Sequence, residues 1–331
     1  MLKISIKLMI LLIAIAIIAL VYFWNFSPKE MAWGVTFSKK YAQYELGLDW
    51  KKTYLAILDD LKVDHIRLLA YWDEIEPDAG KYNFTDLDWQ INEASKRDVK
   101  IILAAGRRLP RWPECHDPIW IKDQSPNIIA DNQLKYITET IKRYDSNKGI
   151  IYWQIENEPY LKYFGICPPL DKEFFKKEIA LAKSLTVKPI LVTDSGELGL
   201  WIPASRSGGD ILGTTLYRVV YNKTFGYVKY FLPPSFYFAK SLMVKIFSPV
   251  ERIIVAELQA EAWHKENENL KQMTLDEGFQ SMSLKQFKNN IDFSKKAGFD
   301  EVYLWGVEWW YLAKENKAYG SYWNEAKKLW Q

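Results

Sequence analysis

Eight short apolar runs recur along this chain, and amphipathic stretches separate most of them. The runs are rich in β-branched and aromatic residues and nearly continuous in apolar character, which is typical of strands buried on both faces. They lie at 32–37, 65–71, 100–105, 150–155, 190–193, 211–217, 252–256 and 301–305. Eight strand-helix units in about 300 residues predict an α/β fold of the (β/α)8 barrel type, folded as a single domain over residues 31–331.

Residues that start helices precede several of the amphipathic stretches. They are Asp49 before 50–62, Asp86 before 87–98, Asp171 before 172–185, and Ser283, with Gln286 at capping-box spacing, before 284–296. The interval 194–211 leaves room only for a short helix around 198–205. The alternative, an open doubly wound sheet, would need a glycine-rich phosphate turn after the first strand, and residues 34–37 do not supply one.

An unbroken apolar run of 17 residues, 8–24, follows Lys3 and Lys7 near the amino terminus. Its length is at the short end of what crosses a bilayer, and the two lysines would stay in the cytoplasm. The run ends in bulky aromatic residues without a small-residue cleavage site, which favours an uncleaved signal anchor over a cleaved signal peptide. The sequence therefore predicts a cytoplasmic segment 1–7, one transmembrane helix over 8–24, a linker 25–30 and an extracytoplasmic barrel.

Composition limits the chemistry. The net charge is 44 − 41 = +3, which excludes a polybasic nucleic-acid binder. Three histidines, His65, His116 and His264, are scattered, so no metal site is expected. Cys115 and Cys167 are the only cysteines, and outside the cytoplasm they are predicted to form a disulfide, two free thiols being the alternative.

Two glutamates follow strands that lie apart in the chain. Glu158 follows the fourth predicted strand and Glu257 the seventh. Because catalytic residues of such barrels lie at the carboxyl ends of the strands, the two carboxylates are expected to face each other across the barrel mouth. A glycosidase needs such a pair, one carboxyl to protonate the leaving oxygen and one to attack or to activate water. The 15 Trp, 20 Tyr and 16 Phe fit either a large core or a cleft that stacks on sugar rings.

The run Asn157-Glu158-Pro159, together with Glu257, resembles clan A of the retaining glycoside hydrolases. Members of that clan include the cellulase-like family five and the β-galactosidases of family forty-two. A second segment, residues 72–88, resembles the loop after strand two that family forty-two and its neighbours share. The resemblance covers most of residues 31–331 and is strongest over 65–159 and 252–258.

The resemblance implies a (β/α)8 barrel, a retaining mechanism without metal or cofactor, and a role for each matching residue. These roles are Glu158 as acid/base, Glu257 as nucleophile, Asn157 on the sugar 2-hydroxyl, Arg67 and Tyr217 beside the nucleophile, and Trp305 as the floor of the first subsite. Trp72, Trp112 and His116 follow the second and third strands and are further candidates for substrate contact. The predicted function is hydrolysis of β-glycosidic bonds in an extracytoplasmic polysaccharide or oligosaccharide.

Several alternatives stay open at this level. Glu156 competes with Glu158 and Glu261 with Glu257, although the clan pattern favours Glu158 and Glu257. Arg107, Arg108 and Arg111 could recognise an acidic sugar or solvate a loop. The aromatic and lysine-rich segment 221–247 could lie on a membrane, wall a sugar cleft or pack as a core helix. The same carboxylates would also serve a glycan-remodelling transglycosidase. A protein that binds carbohydrate without catalysis is the alternative that is not an enzyme.

Overall fold

A computed structural model describes residues 11–12, 26–28, 30–162, 164–263, 278–315 and 320–331. Eight parallel strands close into a barrel in the order β1-β10-β9-β6-β5-β4-β3-β2. The barrel strands are β1 (Ala32–Thr36), β2 (His65–Tyr71), β3 (Lys100–Gly106), β4 (Ile150–Ile155), β5 (Ile190–Asp194), β6 (Ile211–Leu216), β9 (Arg252–Gln259) and β10 (Glu301–Trp305). The predicted barrel is confirmed, and three of the eight predicted strands have the observed bounds, the others differing by one to three residues at one end.

Helices cover the outside of the barrel. They are α1 (Trp50–Ala56), α2 (Trp72–Ile75), α3 (Thr85–Ser95), α4 (Pro126–Tyr144), α5 (Lys172–Leu185), α6 (Ile202–Ser205), α7 (Pro234–Phe247), α8 (Leu284–Lys296), α9 (Val307–Glu315) and α10 (Ser321–Lys327). Short π-helical segments, Tyr41–Glu45 and Ile57–Leu61, and the 3₁₀ turn Ile119–Ile121 complete the set.

Three of the four predicted N-cap residues are confirmed, because their side chains accept hydrogen bonds from free backbone N–H groups. Asp49, Asp171 and Ser283 each accept hydrogen bonds from amides of the first turn. Asp86 differs, because α3 begins at Thr85 and places Asp86 inside its first turn. The helix predicted over 50–62 continues as a π segment after Ala56, and Lys62 ends it in the left-handed conformation.

The core has two layers. A small cluster fills the barrel interior with Ile102, Leu191, Ile211, Ile254 and Tyr303. A much larger apolar layer packs the outward side chains of the strands against the helices, as in Val35, Leu103 and Val302. Polar side chains therefore concentrate where the strands end.

The segment after β6 contains more regular structure than a loop. A two-stranded hairpin, β7 (Val219–Asn222) with β8 (Gly226–Lys229), precedes α7. On the inner side of α7, Tyr237 and Val244 are fully buried. Of the segment 221–247, residues Pro234–Phe247 are helical, and this helix buries one face while its other face is exposed.

No helix within the described residues is long and apolar enough to cross a membrane. The transmembrane helix predicted over 8–24 lies outside the described residues, apart from Leu11 and Leu12. Phe26, which follows this run, packs beside α7.

Candidate active site

Arg67 is the centre of the polar network at the barrel mouth. It points inward from β2, has no exposed surface, and donates from Nε to Gln154 (2.7 Å), from one terminal nitrogen to Glu257 (2.8 Å) and from the other to Asn157 (2.9 Å). One guanidinium thus joins β2, β4 and β9. Because Arg67 is enclosed and paired with Glu257, it positions the carboxylate of Glu257, and its predicted contact with substrate stays a prediction.

Glu257 is held from two sides. β9 shifts register against both neighbours just before it, so that Thr215 of β6 lies opposite Glu257. One carboxylate oxygen accepts from Arg67, and the other accepts from the Tyr217 hydroxyl at 3.0 Å. The ion pair stabilises a negative charge on Glu257, which a nucleophile requires.

Glu158 has the opposite environment. It follows β4 with a left-handed backbone (φ 42°), and its amide donates to the Thr193 hydroxyl of β5 at 2.8 Å. Its side chain is buried, and Oε1 has no hydrogen-bond partner among the described residues. Burial, followed by the charges of Glu257 and Glu114, raises the pKa of Glu158 well above its usual range. The raised pKa favours the protonated form of Glu158, which is the form that a general acid needs.

Glu156 lies on the helix side of the strand end, away from the mouth. Its oxygens accept from the amides of Arg107 and Arg108, both at 2.7 Å, and from the Gln133 amide of α4 at 2.8 Å. Gln133 also donates to Glu178 of α5. Glu156 is therefore a structural acceptor, and the preference for Glu158 as acid/base agrees with this placement.

Glu114 is a third buried carboxyl at the mouth that the sequence patterns did not indicate. It accepts from the Asn157 side-chain amide at 3.2 Å and lies 3.6 Å from Arg108. Burial raises the pKa of Glu114 to about 8, although Arg108 opposes the shift. With Arg67 on its carbonyl oxygen and Glu114 on its nitrogen, the Asn157 amide has one fixed orientation.

The loop that carries Glu114 is covalently tied to the next one. The predicted pair Cys115 and Cys167 is joined in a disulfide with a Cα–Cα distance of 5.3 Å. Arg108 reinforces the tie by donating to the carbonyl oxygens of Leu161 and Phe164. The loops after β3 and β4 thus form one wall of the mouth.

Arg111 occupies the region predicted for the first subsite floor. Its guanidinium lies 4.0 Å from the ring centroid of Trp305 and 3.5 Å from that of Tyr41. It also pairs with Glu261 and, at 3.1 Å, with Glu308. Arg111 thus lies over the ring of Trp305, and the role of Trp305 as a subsite floor stays a prediction. Glu261 is engaged by Arg111, which agrees with the preference for Glu257 as nucleophile.

Trp72 and His116, both predicted to contact substrate, are buried. Trp72 is fully buried in the outer layer, where it donates to Glu76 (2.8 Å) and stacks on Tyr136. His116 is 3% exposed and packs against Tyr71, and burial lowers its pKa to about 3, so the ring is neutral. Both side chains follow a strand end, as predicted, but the local backbone turns them into the protein.

Trp112 is placed differently, at the open rim, with 63% of its surface exposed. Its ring contacts Phe164 edge-on at 6.2 Å, Phe164 contacts Trp263 at 6.1 Å, and Trp263 contacts Tyr217 at 5.3 Å. This row of rings leads from the rim to the hydroxyl that touches Glu257. Aromatic faces of this kind stack on the apolar side of sugar rings.

The three loop arginines all have partners inside the protein. Arg107 pairs with Asp117 at 2.5 Å, whereas Arg108 and Arg111 bind the groups given above. The three guanidiniums therefore do more than solvate a loop, although the Nε atoms of Arg108 and Arg111 have no hydrogen-bond partner among the described residues. A further supporting residue, Glu197, accepts from the Tyr217 amide at 2.9 Å and from the Tyr237 hydroxyl at 2.6 Å.

Within the described ranges, no group of three or more histidine, cysteine, aspartate or glutamate side chains could hold a metal ion. His264 lies outside those ranges. The fold and the mouth together define a (β/α)8 barrel with two differently tuned carboxyls at its strand ends, the arrangement of a barrel glycosidase.

Comparison with known proteins agrees with this class. A family model for the beta-galactosidases of glycoside hydrolase family 42 matches residues 49–139, which include β2, β3 and the segment 72–88. The beta-galactosidase BgaA of Clostridium cellulovorans is 25% identical over 203 residues, covering 53% of this chain and 29% of that enzyme. The chain thus spans under a third of the curated relatives it matches.

Solved structures share the fold. A family 5 glycoside hydrolase from Streptomyces cattleya, in complex with GlcNAc, has a TM-score of 0.58 at 11% identity, covering 84% of this chain and 71% of that one. A family 10 endo-beta-1,4-xylanase from Gloeophyllum trabeum has a TM-score of 0.55 at 15% identity, covering 84% and 85%. The predicted resemblance to the clan A glycoside hydrolases is thereby confirmed.

Proposed function

We propose that this protein is a retaining glycoside hydrolase that cleaves β-glycosidic bonds, with Glu257 as nucleophile and Glu158 as acid/base. The observation that carries the proposal is the contrast between the two carboxyls. Glu257 is paired with Arg67 and Tyr217, whereas Glu158 is buried, lacks a partner on Oε1, and has a raised pKa. A double displacement needs one charged and one protonated carboxyl in this way.

In the first step, Glu257 attacks the anomeric carbon while Glu158 protonates the departing oxygen. The glycosyl-enzyme ester that forms no longer carries the Glu257 charge. Because that charge helps to raise the pKa of Glu158, its loss lowers the pKa of Glu158 in the intermediate. Glu158 can then act as the base that takes a proton from water, and hydrolysis restores both carboxyls.

We propose a neutral sugar in the first subsite, because Arg107, Arg108 and Arg111 are already paired. A β-galactoside is the first substrate to test, since the matching family and the curated relatives are named beta-galactosidases. We further propose that residues 8–24 anchor the barrel outside the cytoplasm. The apolar run, its two preceding lysines and the disulfide support this location.

The test uses the full-length protein in detergent on a panel of aryl β- and α-glycosides, beginning with galactosides. Wild type is compared with Glu257→Ala and Glu158→Ala, and Glu156→Ala is the matched control because it lies two residues from Glu158. We expect β-glycoside cleavage, a nearly inactive Glu257→Ala variant, and its rescue by azide with formation of the α-glycosyl azide. Cleavage that survives Glu257→Ala unchanged would refute the site assignment.

The same assay separates the alternative functions. With an acceptor sugar present, a transglycosidase forms longer saccharides at the expense of free sugar. A catalytically silent binding protein retains a polysaccharide in affinity electrophoresis but releases no product from any glycoside in the panel.

A further inference from the structure

The outward face of α7 is apolar, although it faces away from the barrel. Leu242, Met243 and Ile246 are 44%, 50% and 69% exposed, and Ala239 and Phe247 are exposed beside them. Their spacing of three and four residues places Ala239, Leu242, Met243 and Ile246 in one stripe along the helix. We call Ala239, Leu242, Met243, Ile246 and Phe247 the α7 stripe.

The neighbouring helix α8 has the face that a water-exposed helix normally shows. Its exposed positions are Lys285, Lys288, Asn289, Asp292 and Lys296. Both helices bury their other face against the same barrel. The α7 stripe is therefore a local departure from the pattern, and contiguous exposed apolar residues of this kind mark contact surfaces.

The stripe leads to the end of the barrel opposite the candidate active site. It ends at Phe247, shortly before β9 begins at Arg252, whereas Glu257 lies towards the carboxyl end of the same strand. Phe26 stacks on Phe238 of α7 with ring centroids 3.7 Å apart. The chain that follows the apolar run 8–24 thus reaches the barrel on the helix that carries the stripe.

Exposed lysines flank the stripe, while Asp292 on α8 and Glu251 after α7 are exposed acidic residues nearby. Residues 221–247 contain four lysines and no acidic residue. Lys245 on α7 and Lys296 at the end of α8 are exposed, and the Lys296 carbonyl accepts from the Phe26 amide. No described carboxylate forms an ion pair with Lys245. Apolar side chains flanked by lysines fit the interface of a bilayer with anionic headgroups.

We propose that the α7 stripe rests on the surface of an anionic membrane. The side of the barrel that carries α7 then faces the lipid, and the mouth with Glu158 and Glu257 stays accessible to a large glycan. The orientation rests on the anchor in the proposed function, but the lipid contact is assigned to described residues of α7 and can be measured separately from the anchor.

The test places an environment-sensitive fluorophore on Met243→Cys in the full-length chain, whose native cysteines are bonded to each other. The protein is reconstituted into phosphatidylcholine–phosphatidylglycerol vesicles with brominated acyl chains. The matched control is Lys142→Cys, an exposed position in the last turn of α4 on another side of the barrel. We expect a blue shift and strong bromine quenching at position 243, and neither at position 142.

A second variant keeps the test clear of folding effects. Leu242→Ser combined with Ile246→Ser, in the Met243→Cys background, replaces two apolar side chains that are 44% and 69% exposed. We expect unchanged aryl glycosidase activity and loss of most of the quenching. Quenching that persists unchanged in this variant would argue against the stripe as the contact.

The remaining outcomes distinguish this proposal from the anchor. If the chain stays with vesicles after alkaline carbonate but position 243 is not quenched, the stripe proposal is overturned and the anchor stands. If carbonate releases a chain that was quenched at 243 beforehand, the stripe proposal stands and the anchor fails. A probe signal that depends on protein density and not on brominated lipid indicates a second copy of the chain and overturns the proposal.

Discussion

Two groups of buried carboxyls flank the end of β4, and they differ in how many donors they receive. On the helix side, Glu156 accepts from two backbone amides and from Gln133, which also binds Glu178. On the mouth side, Glu158 has a buried oxygen without a partner among the described residues. Burial raises the pKa in each group. The difference separates roles, because a saturated carboxyl holds structure together, whereas an unsaturated one is available to a ligand.

The largest expected effect concerns the mouth. Glu158→Gln should lower kcat on a substrate with a poor leaving group by roughly 10²- to 10⁴-fold, because the general acid is lost. The loss should be much smaller for a dinitrophenyl glycoside, whose leaving group needs no proton. Unfolding by denaturant should show no loss of stability, since Oε1 gives up no hydrogen bond. Equal losses on both substrates would contradict the assignment of Glu158.

The second prediction tests whether stability and activity depend on the disulfide between Cys115 and Cys167. Replacing Cys115 and Cys167 together by serine should lower the free energy of unfolding by about 4 kcal/mol, given a closed loop of 52 residues. Activity should also fall, because Cys115 neighbours Glu114, which fixes the Asn157 amide. Denaturant unfolding and kcat/KM measure the two effects. A variant with full stability and full activity would show that hydrogen bonds alone hold the wall.

Substitution of Glu156 should lower stability and spare activity, whereas substitution of Glu158 should lower activity and spare stability. Glu156→Gln turns an amide NH₂ towards donors that the carboxylate satisfied, so unfolding free energy should drop by about 2 kcal/mol. Activity per folded molecule should remain near wild type. A variant that is stable but inactive would move Glu156 into the reaction and break the comparison.

The smallest effect is a pH dependence. Because the pKa of Glu114 is raised to about 8 in the folded state, its protonated form is favoured there. The stabilisation is present below the unfolded-state pKa and is lost as pH rises towards 8. Glu114→Gln should remove about 1 kcal/mol of the stability difference between pH 6 and pH 7. Denaturant unfolding at both values checks this, and identical slopes for variant and wild type would contradict it.

Much of the frame was predictable from local sequence. Strands buried on both faces are recognisable in the sequence as continuous apolar runs. The strands β2, β4 and β10 have the predicted bounds. Caps such as Asp171 act within a few residues of their position in the chain, so they are readable without the fold. Glu158 and Glu257 were proposed because each follows a predicted strand near the mouth of the barrel. In the structure Glu158 follows β4, whereas Glu257 lies within β9 near its carboxyl end.

What failed depended on the path of the backbone beyond the strand ends. Trp72 and His116 follow strands as catalytic residues do, but a helical turn and a tied loop turn them inward. Glu114 and Arg111 lie in that loop without a repeating pattern, and their partners come from β4, β10 and the segments around them. A local pattern cannot indicate contacts between residues separated by 43 or 150 positions.

The sequence by itself determined the barrel, its strand ends and the two glutamates offered there, because hydrophobic periodicity and capping act over short spans of chain. Only the tertiary structure decided the surroundings of the two carboxyls, which are an ion pair with Arg67 for Glu257 and burial without a partner on Oε1 for Glu158. That difference depends on burial and on the distance to charges such as Arg67, which β2 brings to β9 across 190 residues. Electrostatic tuning is a property of neighbours in space, and closure of the barrel creates those neighbours.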